Sequence, residues 1–100
     1  MFRLTDFISR KQLEEFCQRN YIKKLSVFGS ALENKLKSDS DIDILVEFDD
    51  KHIPGLMDIA GMEIELSEMM GRKVDLRTPE ELSKYFRKEV VAKAKVEYAI

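Results

Sequence analysis

The stretch Asp41-Ile42-Asp43-Ile44-Leu45-Val46-Glu47-Phe48 constrains this chain more than any other. Successive side chains of a strand point to opposite faces, so Ile42, Ile44, Val46 and Phe48 share one side and Asp41, Asp43, Leu45 and Glu47 the other. Such a strand needs a sheet with one apolar face to cover. It also sets two carboxylates at i and i+2 on the same face, near enough to share a divalent cation. Aspartate is depleted in strands, and two adjacent negative charges repel unless a cation lies between them. Oxygen-only ligands suit magnesium, which takes one or two carboxylates plus substrate phosphates.

The rest of the chain supplies partners for that strand. Ser9-Arg10-Lys11-Gln12 has the form of a capping box and predicts a helix over 10–19, with Leu13, Phe16 and Cys17 on one face and Asn20 as its stop. Tyr21 to Phe28 reads as a first strand ending at Gly29, and residues 30–40 as a short helical turn and loop. Pro54-Gly55 opens a helix over about 55–70 whose stripe of Leu56, Ile59, Ala60, Leu66 and Met70 should pack on the sheet. Lys73 to Arg77 forms a third strand. Thr78-Pro79-Glu80-Glu81 combines an N-cap, a first-turn proline and a reciprocal glutamate, which predicts a helix burying Leu82, Tyr85 and Phe86. A short helical piece over 88–92 and a last strand from Ala94 to Ile100 complete an α/β (α+β) pattern of about four strands flanked by helices.

One hundred residues, 44% hydrophobic and 36% charged, close a single core, so residues 1–100 read as one domain without a built-in substrate domain. With 17 basic and 19 acidic side chains the net charge of -2 argues against nucleic acid or a membrane as a partner attracted by bulk charge. Phosphate recognition must therefore come from local geometry. Cys17 has no second cysteine to pair with, and MFRLTDFISRKQ lacks the apolar run of a secretory signal. No window approaches the roughly 18 consecutive apolar residues of a membrane span, so a cytoplasmic location is expected.

The chemistry centres on Phe28-Gly29-Ser30, ten intervening residues, then Asp41-Ile42-Asp43. Glycine after a strand lets the backbone approach a phosphate, and a helix beginning at Ser30 would add a hydroxyl and free amides as an anion site. Asp75, mid-strand, is a candidate third carboxylate. Taken singly these features have plainer readings: Gly-Ser after a strand is an ordinary turn, and Ser-Asp-Ser-Asp a solvated one. A calcium-binding EF-hand loop fails, because Ile44 stands where glycine is required and Asp50 where glutamate is. No Walker-type phosphate loop occurs either. Cys17 shares a helix face with Leu13 and Phe16 and reads as core. His52 reads as exposed, and Met57, Met62, Met69 and Met70 read as filling on a helix, with a partner surface as the alternative.

In combination, Phe28-Gly29-Ser30, the spacer, Ser40-Asp41-Ile42-Asp43-Ile44-Leu45-Val46 and Val74-Asp75-Leu76 resemble the minimal nucleotidyltransferases of the polymerase beta superfamily over nearly the whole chain. The resemblance implies a mixed sheet flanked by helices, with Gly29 and Ser30 on the triphosphate of ATP. It implies Asp41, Asp43 and Asp75 as catalytic residues and magnesium ligands. Small members of this family often pair with a HEPN-domain ribonuclease toxin and, as antitoxins, attach AMP to one of its tyrosines. Relatives commonly carry Arg-Gly soon after Gly-Ser, where this chain has Glu33-Asn34; Lys35 and Lys37 are the candidates to restore positive charge there. The alternative is a non-catalytic module that neutralises its partner by a steric complex, through the Met-rich helix and the last strand. Transfer to a small molecule lacks a pocket unless a homo-oligomer supplies one, and nucleic-acid tailing is disfavoured by the charge balance.

Overall fold

In the computed structural model, which describes residues 2–33, 35, 37 and 39–100, a four-stranded sheet carries helices on its apolar face. The elements are α1 (Arg10–Arg19), β1 (Ile22–Phe28), β2 (Ile42–Phe48), α2 (Leu56–Met70), β3 (Val74–Arg77), α3 (Arg87–Lys93) and β4 (Lys95–Ala99), with single 3-10 turns at Leu4–Asp6 and Pro79–Glu81. Spatial order is β3-β2-β1-β4. Both neighbours of β1 run antiparallel to it, whereas β2 and β3 are parallel, because the α2 crossover returns the chain to the end where β2 began.

The alternation of β2 decides where the core sits. Ile42, Ile44 and Val46 are fully buried together with Leu25 and Val27 of β1, Leu13 and Phe16 of α1 and Leu66 of α2. Capping at the start of α1 is reciprocal, Gln12 N–H donating to Ser9 Oγ at 3.1 Å and Ser9 N–H to Gln12 Oε1 at 3.1 Å. Burial pushes the Cys17 thiol up to about 12, as its place in the core requires.

Several expectations are corrected. Tyr21 lies outside β1 and takes a left-handed φ of 58°, where it stacks on exposed His52 with ring centroids 3.8 Å apart. Leu45, on the polar side of β2, is nevertheless buried. Helix α2 is rotated slightly from the predicted stripe: Ile59, Leu66 and Met70 pack on the core as expected, Met62 joins them, and Leu56 and Ala60 are exposed. Cross-strand geometry explains the rotation. Ser67 Oγ and Glu63 Oε2 accept the Val74 and Leu76 N–H groups of edge strand β3 at 2.9 and 2.8 Å, which fixes the face α2 turns inward. The helix predicted after Pro79 ends after one 3-10 turn, leaving Tyr85 82% and Phe86 62% exposed. Arg87 explains that ending: its guanidinium takes the carbonyls of Pro79, Glu80 and Leu82, acceptors that a continuing helix would use internally.

Candidate active site

Strand register delivers the aspartates. Phe28 of β1 pairs with Asp43, and Asp43 pairs in turn with Asp75 of β3, so the two carboxylates sit side by side on the face opposite the apolar core. Asp41 enters the same end of β2, its Oδ2 lying 3.8 Å from Lys73 Nζ. Loss of solvent, then the charges of Asp75 and Asp41, hold the Asp43 carboxyl above its ordinary value, with Arg77 opposing them. The three acidic groups thus share one electrostatic neighbourhood.

Gly29 is required by contact as well as by conformation. Its φ is +73°, and a Cβ placed there would lie 2.2 Å from Asp43 Oδ2. The side of Gly29 on which a Cβ would project is thus occupied by the Asp43 carboxylate. Ser30 follows, half-buried, in a turn closed by the amides of Glu33 and Lys35 donating to the carbonyls of Gly29 and Ser30. This single turn leading into a loop is the form read for residues 30–40, and among the described residues no α-helix begins at Ser30. Lys35 Nζ pairs with Glu33 at 3.7 Å, and the exposed Lys37 joins the loop through its backbone, its N–H donating to Ser40 Oγ at 3.1 Å. Neither lysine is among the charges that act on Asp43. Asn34 lies outside the described residues.

Two arginines were missed in the sequence. Arg72 donates to the carbonyls of Lys37 and Ser40, tying the loop before Asp41 to the entrance of β3. Arg77, two residues after Asp75 and on the same face, grips that carboxylate with Nε 3.2 Å from Oδ1 and a terminal nitrogen 3.4 Å from Oδ2. The i, i+2 spacing of Asp75 and Arg77 was the available signal for the second. For the first, a loop-to-loop contact, the spacing gave none.

Among the described residues no three carboxylate, imidazole or thiolate groups stand ready as a metal cage, since Asp75 is turned to Arg77 and Asp41 to Lys73. The donor set nevertheless fits magnesium. That ion is commonly held by one or two carboxylates together with substrate phosphates, and acidic crowding that raises the affinity of Asp43 for a proton favours any cation.

Known families give this geometry a context. The pattern of the nucleotidyltransferase domain matches residues 9–98. This chain belongs to the nucleotidyltransferase domain family. A protein adenylyltransferase, MntA, of Thermococcus cleftensis is 38% identical over 63 residues, covering 63% of this chain and 62% of that protein. A Methanocaldococcus jannaschii protein, provisionally designated a protein adenylyltransferase, is 44% identical over 57 residues, covering 57% of this chain and 59% of its own length. The matched stretch thus spans about three fifths of these first relatives. Among solved structures, one provisionally described as a minimal nucleotidyltransferase superposes with a TM-score of 0.70 at 29% identity, covering 85% of each chain. A toxin-antitoxin structure with AMP-PNP superposes at 0.75 and 20% identity, covering 93% of this chain and 75% of that one, a likeness of fold. The mixed four-stranded α+β architecture is that of the nucleotidyltransferase neighbours.

Proposed function

We propose that this nucleotidyltransferase transfers AMP from ATP to a hydroxyl of a partner protein, a tyrosine of a HEPN ribonuclease toxin, and so acts as its antitoxin. The observation that carries the reading is the side-by-side register of Asp43 and Asp75 against the bare Cα of Gly29. The adenylyltransferase designation of the Thermococcus relative supports it. So does a structural neighbour, at 21% identity and a TM-score of 0.64, described as a tri-AMPylated Shewanella oneidensis HEPN toxin in complex with an MNT antitoxin.

In this reading the Ser30 hydroxyl and the amides that open its turn bind the triphosphate. Asp41, Asp43 and Asp75 would hold magnesium, which neutralises charge on the phosphate oxygens. The partner's hydroxyl attacks the α-phosphorus in line, Asp75 takes its proton, the bond to the β-phosphate oxygen breaks and pyrophosphate leaves. Rate acceleration comes from positioning and charge neutralisation, which a domain of this size can supply. Lys35 would contribute by leaving Glu33, and the exposed Lys37 by turning its ammonium toward the phosphates.

The test incubates the chain with α-labelled ATP, magnesium and the product of its neighbouring gene. Label is expected on a partner tyrosine and is expected to vanish in the Asp41→Asn/Asp43→Asn double variant. An unlabelled partner, or label that persists in the double variant, rejects the reading.

A further inference from the structure

The face of α2 turned away from the sheet is apolar where a solvated helix would be polar. Ile53 is 75%, Leu56 79%, Met57 85% and Ile64 61% exposed. Positions 56, 57, 60 and 64 of α2 recur at helical spacing and form one stripe, Ala60 included, and Ile53 precedes the helix at the N-terminal end of that stripe. At its N-terminal end the stripe opens into a groove of about 460 Å³ between residues 53–56 and the Pro79 turn, floored by Val46, Phe48 and Ile59. This groove lies at the end of β2 remote from Asp43.

Its border is acidic. Helix α2 has no basic residue and carries Glu68 one turn beyond Ile64, and Glu47, Asp50, Glu80 and Glu81 line the groove; Asp58 and Glu65 lie on another side of the helix, where Arg19 pairs with Glu65 at 2.8 Å. Lys23 pairs with Asp50 at 3.7 Å and Lys24 with Glu47 at 4.0 Å, so the excess negative charge of the groove rests on Glu80 and Glu81. A second copy of the chain would set acid against acid in a two-fold contact along the stripe, and an anionic lipid surface would be repelled likewise. A complementary surface instead has an apolar ridge flanked by lysine or arginine.

We infer that this stripe and groove form the docking site for a basic amphipathic helix of a partner protein. The helix lays its apolar ridge along Leu56, Ala60 and Ile64, seats one large side chain between Ile53 and Pro79, and sets its cations against the acidic border. The inference does not depend on catalysis, because the surface is separate from the aspartates.

The test uses the whole chain and a fluorescein-labelled 18-residue helical peptide with leucine on one face and lysine on the other. Fluorescence anisotropy is compared with a scrambled peptide of the same composition and with a leucine-glutamate counterpart. The leucine-lysine helix is expected to bind, the other two to bind at least about tenfold more weakly, and Leu56→Ser/Ile64→Ser to weaken the first about tenfold or more. Both substitutions replace exposed side chains, and an unchanged melting temperature verifies the fold. Equal binding of the scrambled peptide, or an unaffected variant, overturns the inference. So does a dimer in sedimentation that the variant converts to monomer, because the occupant would then be a second copy.

Discussion

Replacing Gly29 by alanine probes the contact on which the aspartate site is built. Two costs add. A left-handed φ costs a side-chain-bearing residue about 1–2 kcal/mol, and forcing a methyl into the 2.2 Å gap to Asp43 Oδ2 adds an overpacking cost of about 1–3 kcal/mol. The sum is about 2–5 kcal/mol. Gly71, at the C-terminal end of α2, is the internal control: its φ is +66° and nothing lies within 4 Å of an added Cβ. Gly71→Ala therefore carries the conformational cost alone. For a domain of this size each kcal/mol moves the melting temperature by about 4–8 °C. Thermal melting should accordingly drop by about 4–16 °C for Gly71→Ala and by about 8–40 °C for Gly29→Ala, the latter the larger of the two under the same conditions. In an Asp43→Ala background most of the excess at Gly29 should disappear, since the colliding carboxylate is gone and only the Cβ contact at 3.3 Å remains. A Gly29→Ala cost no larger than that of Gly71→Ala, or an excess that is undiminished in the Asp43→Ala background, refutes the reasoning.

Asp43→Asn should stabilise the protein at neutral pH while abolishing transfer. Because the native carboxyl holds its proton more tightly than the unfolded one, ionising it costs stability as pH rises through and above the ordinary value of 3.8. The variant's advantage should disappear below about pH 3.8, and melting curves from pH 3 to 7 that show it less stable at pH 7 reject the argument. Glu63→Ala leaves the Leu76 N–H without its acceptor and should cost about 1–3 kcal/mol in urea unfolding, with Glu63→Gln recovering most of that. Equal losses in the two variants would contradict the edge-strand role. Arg77→Ala frees Asp75 and should lower the magnesium concentration giving half-maximal thermal stabilisation without nucleotide; a higher one would show that Arg77 does not compete for that carboxylate.

Where local periodicity carried the information, the sequence was a sound guide. The alternation of Ile42 to Phe48 placed Asp41 and Asp43 on the open face, and the Ser9–Gln12 box set the start of α1. Legibility failed where a residue answers to a distant partner. Leu56 matches the helical stripe as well as Met62 does, and the choice between them is made by Ser67 and Glu63 reaching for β3. Thr78-Pro79-Glu80-Glu81 is a sound helix start by composition, and the Arg87 guanidinium diverts the carbonyls that would extend it. At the site, the need for glycine at position 29 was visible, but its reason, the Asp43 carboxylate lying on it, depends on the β1–β2 register.

The most direct test of the account is anomalous diffraction from crystals grown with manganese and a non-hydrolysable ATP analogue. The account predicts an anomalous peak coordinated by Asp41 and Asp43, with the triphosphate against Ser30 and Asp75 released from Arg77. A nucleotide bound elsewhere, or a peak remote from both carboxylates, would contradict it.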